Sequence, residues 1–158
     1  MESSQATDIS TLIEYQLFTF PRQPSGKRLC IADFFLSKDE AKESGRPDGV
    51  TFNAVTVGKS ATEYTAKLFA SNQYADYLYL HGLSVESAEA LAEYLHKLVR
   101  MELGIAGSDA EAIQRLFSQG YQGSRFSFGY PACPNLEDQT QLFDLLRPDR
   151  IGLTLTEE

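Results

Sequence analysis

Leu29-Cys30-Ile31-Ala32-Asp33-Phe34-Phe35 is the stretch on which the fold class turns. Its apolar run, Leu29 to Ala32, closes on a carboxylate and two phenylalanines, and the segment Lys27 to Phe35 reads as a buried strand. A second strand is expected over Val50 to Val57, where Val50, Val55 and Val57 stand with Thr51 and Thr56 between them. Gly152 to Thr156 alternates as a third strand would. The rest reads as helix. Ala61 to Ser71 carries Tyr64, Leu68 and Phe69 on one side. Asp76 to Leu103 is the longest helical stretch, with Leu91, Leu95 and Leu98 at i, i+4 and i+7. Gly82 is placed to kink it, at about 1 kcal/mol relative to Ala, and Gly104 to close it. Ser108-Asp109-Ala110-Glu111 has the form of a capping box opening a helix toward Ser118. Asn135 is placed to cap Leu136 to Leu146, which Pro148 stops. Ser37 to Gly49 is charged and reads as a surface loop or short helix. Near the start, Asp8 could cap a short helix to about Tyr15, and Pro21 to Gly26 is a turn. Few strands, long helices and no regular βαβ alternation predict an α+β fold, an antiparallel or mixed twisted sheet packed with several helices.

The chain has 158 residues, enough for one domain. A lead-in segment is expected over residues 1–24 and the main domain over 25–158. A formal charge of −8 opposes non-specific nucleic-acid binding, because phosphate contacts need clustered Lys and Arg. The two cysteines, Cys30 and Cys133, form no CxxC, so neither a disulfide scaffold nor a four-thiolate zinc site is expected. No apolar run is long enough to span a bilayer, and Met1 to Gln5 lacks the pattern of a signal peptide. These features point to the cytoplasm, with free thiols and no membrane partner.

The segment with chemistry in it is Tyr121-Gln122-Gly123-Ser124-Arg125-Phe126-Ser127-Phe128-Gly129-Tyr130-Pro131-Ala132-Cys133-Pro134. Pro131 and Pro134 hold the backbone extended and remove two donors. Gly129 lets a ligand approach the main chain with no Cβ in the way. Extended backbone of this kind can read the edge of a purine, and the planar fork of Arg125 suits a carboxylate or phosphate. The alternative, a structural loop with core aromatics and a solvated Arg125, remains open on these residues alone.

The pattern filled by Gln122, Gly123, Arg125, Gly129, Tyr130, Pro131, Ala132, Cys133 and Pro134 resembles the signature of the activation domain of cobalamin-dependent methionine synthase. Leu29 to Phe34 resembles that family's "LADF" segment, Ala88 to His96 its "AEALAEYLH" helix, and Pro148 to Gly152 the approach to its late strand. The resemblance covers about Phe18 to Thr156. It implies a module that holds S-adenosylmethionine so that an inactivated cobalamin is reductively remethylated in methionine biosynthesis. Asp33 would then meet the ligand's ammonium and Arg125 its carboxylate. Glu89 would stand near the cationic end, and Gly129, Tyr130, Pro131 and Ala132 would hold the adenine. The resemblance also implies partners: a cobalamin-binding domain that carries methylcobalamin on another domain or chain, and a flavodoxin-like or reductase electron donor. As part of methionine synthase the module serves an enzyme. Alone it would be catalytically incomplete, since it shows no Asp-x-His-x-x-Gly for cobalamin and no thiol cluster for zinc. Family members continue further and add an aromatic contact, so the site is expected to be shortened at its C-terminal end.

His81, Val85, Glu89, Ala92 and His96 share one helical face within about 80°. Two histidines about a carboxylate suggest a metal, but His81 and His96 stand about 12 Å and about 10.5 Å of axial rise from Glu89, too far to share one ion. No metal or catalytic residue is therefore assigned. Two rivals are an ordinary methyltransferase, for which the expected GxGxxG turn does not occur, and a non-catalytic docking module for an electron carrier or partner domain.

Overall fold

A computed structural model describes residues 15–156, so the short helix expected from Asp8 falls outside the described residues. Among the described residues five α-helices form: α1 (Lys38–Ser44), α2 (Lys59–Ala70), α3 (Tyr74–Glu102), α4 (Ile113–Leu116) and α5 (Asp138–Leu146). Among the described residues three 3-10 turns accompany them: Ile31–Phe34 before α1, Ala106–Ser108 between α3 and α4, and Pro148–Ile151 after α5. The chain divides into two compact units. One holds the chain up to Thr51 with Phe126–Leu142; the other holds Phe52–Arg125 with the chain from Phe143 on.

The expected sheet is a correction. Among the described residues there is no strand, and the sole β-type pairing is an isolated antiparallel bridge between Tyr130 and Cys133. The α+β fold with a twisted sheet is replaced by a helical one. The physical reason is that a strand needs a neighbouring ladder, and one or two unpaired segments do not sustain a sheet. Cys30 and Ile31 are buried as the apolar run required. Past extended Cys30 the backbone closes on itself, with Asp33 N–H donating to Cys30 O and Phe35 N–H to Ala32 O. Val50 to Val57 and Gly152 to Thr156 carry no strand either.

The helices follow their local chemistry. In α1 the Ser37 hydroxyl accepts from Glu40 N–H while the Glu40 carboxylate accepts from Ser37 N–H, a complete capping box. α2 ends in left-handed Asn72, whose N–H reaches Phe69 O while Gln73 N–H reaches Leu68 O. α3 ends the same way at Gly104, with Gly104 N–H on Met101 O and Ile105 N–H on Arg100 O. Both are Schellman closures. Gly82 does not break α3, which runs 29 residues, about 43 Å. α2 and α3 pack through buried Leu68 and through Phe69, whose ring meets Tyr74 and Tyr77 edge-on at 5.4 and 5.2 Å.

The box expected at Ser108–Glu111 does not form. Asp109 is drawn to Arg100, Ala106–Ser108 winds as a 3-10 turn, and α4 is only four residues long. Asn135 does act at the head of α5, accepting from Glu137 N–H and donating to Asp138, though the regular helix starts at Asp138.

Candidate functional site

In the unit containing Phe52–Arg125, one side of α3 carries Glu89, Glu93, His96 and Arg100, at i, i+4, i+7 and i+11. At its C-terminal end Arg100 is buried and forked onto Asp109, with Nε–Oδ1 at 3.0 Å and Nη2–Oδ2 at 2.9 Å. The guanidinium lies 3.9 Å from the centre of the Tyr121 ring, a cation–π contact. His96 meets the same ring edge-on at 5.2 Å. Tyr121 is thereby fixed, and the chain leaves it through Gly123, in a left-handed conformation (φ +91°) beside His96, to reach Arg125.

Arg125 lies between the two α3 carboxylates. Its Nη1 is 3.5 Å from Glu89 Oε2 and its Nη2 is 3.4 Å from Glu93 Oε2. Both separations are long for charge-assisted bonds. Its Nε is buried and has no hydrogen-bond partner among the described residues. Burial pushes the Tyr121 hydroxyl up, and the nearby Glu93 carboxylate adds to that. Burial, then the Arg100 charge, pushes His96 down. His96 Nδ1 is buried without a partner among the described residues, so the hydrogen bond expected of a structural histidine is missing there. His81 stacks on Tyr77 at 5.7 Å.

The other unit holds the remaining expected residues. Gly129 N–H donates to Cys133 O and Cys133 N–H to Tyr130 O, which folds Tyr130 to Cys133 into a tight reverse turn. Gly129 has φ +90°, which calls for glycine, and a Cβ there would stand 2.7 Å from Leu136 Cδ2, the far end of a flexible side chain. The turn is pinned from outside by Gln23 Nε2 on Pro131 O at 2.9 Å and Ile31 N–H on Ala132 O at 3.3 Å. Tyr130 is exposed. The Tyr130 and Ala132 N–H groups have no hydrogen-bond partner among the described residues. Both cysteines are free, buried thiols; Cys30 donates to Phe20 O and Cys133 to Ser127 O. Burial, then Asp138, pushes the Cys133 thiol up.

Asp33 lies in this unit too, in a two-point pair with Arg22, both side chains 46% exposed. The hydrogen bond from Arg22 holds the Asp33 carboxyl below the usual aspartate range. The structure thus brings Glu89 to Arg125, and gathers Asp33, Gly129, Tyr130, Pro131 and Ala132 in the other unit. Sequence reasoning missed Glu93, Tyr121, Arg100 and Arg22. Glu93 was findable, since it follows Glu89 by one helical turn. Arg22 carried no signal beyond its place between Pro21 and Pro24. A cavity of 380 Å³ between α2 and α3, lined by Tyr64, Leu68, Asp76 and Leu83 among others, offers no cation for an anionic ligand.

Comparison with known proteins now bears on this arrangement. The family described as vitamin B12 dependent methionine synthase, activation domain, matches residues 4–158. Methionine synthase of Mycobacterium leprae (strain TN) is 48% identical over 147 residues, covering 89% of this chain and 12% of that protein. That of Mycobacterium tuberculosis (strain ATCC 25618 / H37Rv) is 49% identical over the same length and shares. A crystal structure of the MetH reactivation domain bound to AdoHcy superposes with a TM-score of 0.76 at 28% identity, over 96% of this chain and 47% of the solved one. The class is that of activation domains, and this chain spans about an eighth of the length of the two methionine synthases it matches. The chain belongs to the activation-domain family of vitamin B12-dependent methionine synthase.

Proposed function

We propose that the chain holds S-adenosylmethionine for the reductive reactivation of a cobalamin-dependent methionine synthase. The observation that carries this is Arg125, loosely shared by Glu89 and Glu93 with a buried Nε that has no partner among the described residues, in a chain similar to a solved reactivation domain bound to AdoHcy. A guanidinium with spare donors fits the ligand's carboxylate. The adjoining carboxylates suit its cationic end. In the other unit, taken by itself, the Tyr130 and Ala132 N–H groups suit acceptors on a purine edge, while Pro131 O and Ala132 O are already engaged. Asp33 meets the ammonium only by exchanging Arg22, which makes it the weakest of the assignments.

The chain's own work is binding and orientation: it fixes the sulfonium methyl, and the gain is proximity. Cobalamin, borne on another domain or chain, supplies the methyl acceptor when bound there. The whole enzyme, its cytoplasmic setting and a flavodoxin-like or reductase electron donor belong to the same proposal. With a net charge of −8, an acidic donor would have to dock on a local basic patch. The test is calorimetric titration with S-adenosylmethionine. Arg125→Ala should weaken binding at least tenfold, about 1.4 kcal/mol or more. An unchanged isotherm would show that the carboxylate goes elsewhere. Retained donor binding with no S-adenosylmethionine binding would favour the docking module.

A further inference from the structure

Two carboxylates for one guanidinium is an unusual ratio. Glu89 and Glu93 are one turn apart on α3 and like charges at that spacing repel, so the pair is tolerable because Arg125 lies between its members. Even so, the cluster keeps one negative charge in excess. Glu93 is the more sheltered of the two, 41% exposed against 68% for Glu89, and it is the one that acts on half-buried Tyr121. Charges in such partly desolvated places act over several ångströms with less screening than in bulk water.

Building on the ligand proposed above, we propose that Glu93 sets the charge this site prefers, favouring the cationic sulfonium of S-adenosylmethionine over the neutral thioether left after methyl transfer. When the ligand carboxylate takes a donor of Arg125, a helix carboxylate is released from the guanidinium and faces the cationic end. The methyl then leaves as a cation equivalent to an electron-pair donor, the sulfur–carbon bonding pair stays on sulfur, and the ligand's net charge falls from +1 to 0. The same carboxylate that drew the substrate in no longer holds the product. Glu93 is a specificity-determining residue in this scheme, and methyl transfer itself promotes exchange.

The test is titration of the whole chain at low salt with S-adenosylmethionine and, separately, with S-adenosylhomocysteine. Glu93→Gln should weaken the sulfonium ligand about fivefold and leave the thioether within about twofold. Glu93→Asp, which keeps the charge, should restore most of the preference. Circular dichroism confirms that both variants keep their helix content. Equal weakening of both ligands, or no change in either, would overturn the role of Glu93 while leaving the S-adenosylmethionine reading in place. Failure of the unaltered chain to bind either ligand would overturn that reading, and the Glu93 role with it.

Discussion

Each unit contains an arginine forked onto an aspartate, and the two pairs differ in almost everything but their chemistry. Arg100 is buried and Asp109 largely covered, their side chains 3% and 13% exposed, with Tyr121 stacked over the guanidinium. Arg22 and Asp33 are each 46% exposed. A buried pair is expensive to break, because whichever partner remains is an uncompensated charge out of water. An exposed pair exchanges with water at little cost and adds little stability. The first is a fixture that positions Tyr121 and, through it, the approach to Arg125. The second is a contact that another charged group can replace. Arg125 is intermediate, 28% exposed and held at 3.4 and 3.5 Å, which suits a group that must change partners without leaving its place.

The strongest way to break that contrast is Arg100→Ala. It removes the buried fork and the face of Tyr121, and should cost about 3–5 kcal/mol, a fall in Tm of roughly 10 °C or more. Calorimetric melting reads this directly. A Tm within about 2 °C of the unaltered chain would mean the pair is replaceable after all.

Gly129→Ala comes next. The built Cβ meets the far end of the Leu136 side chain, which can swing aside, so the steric part is partly relieved. The φ of +90° is not relieved. About 1–3 kcal/mol of strain is expected, and because Gly129 N–H closes the turn on Cys133 O, ligand affinity should fall with stability. Loss of affinity at unchanged Tm would show that the turn adapts and that the open approach over Gly129 is what the ligand needs.

Which parts were legible in the sequence follows from how local their causes are. α2 and α3 were read within a few residues, since heptad-like spacing and the closure at Gly104 are written in neighbouring positions. The family was legible too, because Tyr130 to Pro134 and Ala88 to His96 are contiguous blocks. Burial at Cys30 and Ile31 was correctly expected, but their partner was not: Ile31 N–H is taken by Ala132, from the far end of the chain, rather than by a strand. The capping box at Ser108–Glu111 failed for the same reason, as Asp109 answers to Arg100. Glu89 and Arg125 were named for opposite ends of a ligand, and the structure sets them beside each other.

The smallest effect is expected at the exposed pair, where stability is the wrong instrument and titration the right one. Asp33 is held below the usual aspartate range, first by the hydrogen bond from Arg22 and further by its charge. A carboxyl lowered on folding adds stability that is present above its unfolded value and lost as pH falls through its folded one. The contribution is therefore complete at neutral pH and fades only in acid. Arg22→Ala removes the cause, so the Asp33 carboxyl should titrate at higher pH than before, toward the ordinary range, as followed by carboxyl-carbon NMR. Tm at neutral pH should hardly move, since both groups remain solvated. If Asp33 instead kept its low titration without Arg22, the backbone around Cys30 would be holding it, and its exchange with an incoming ammonium would lose its physical basis. A Tm that fell as far as in Arg100→Ala would erase the distinction between the two pairs.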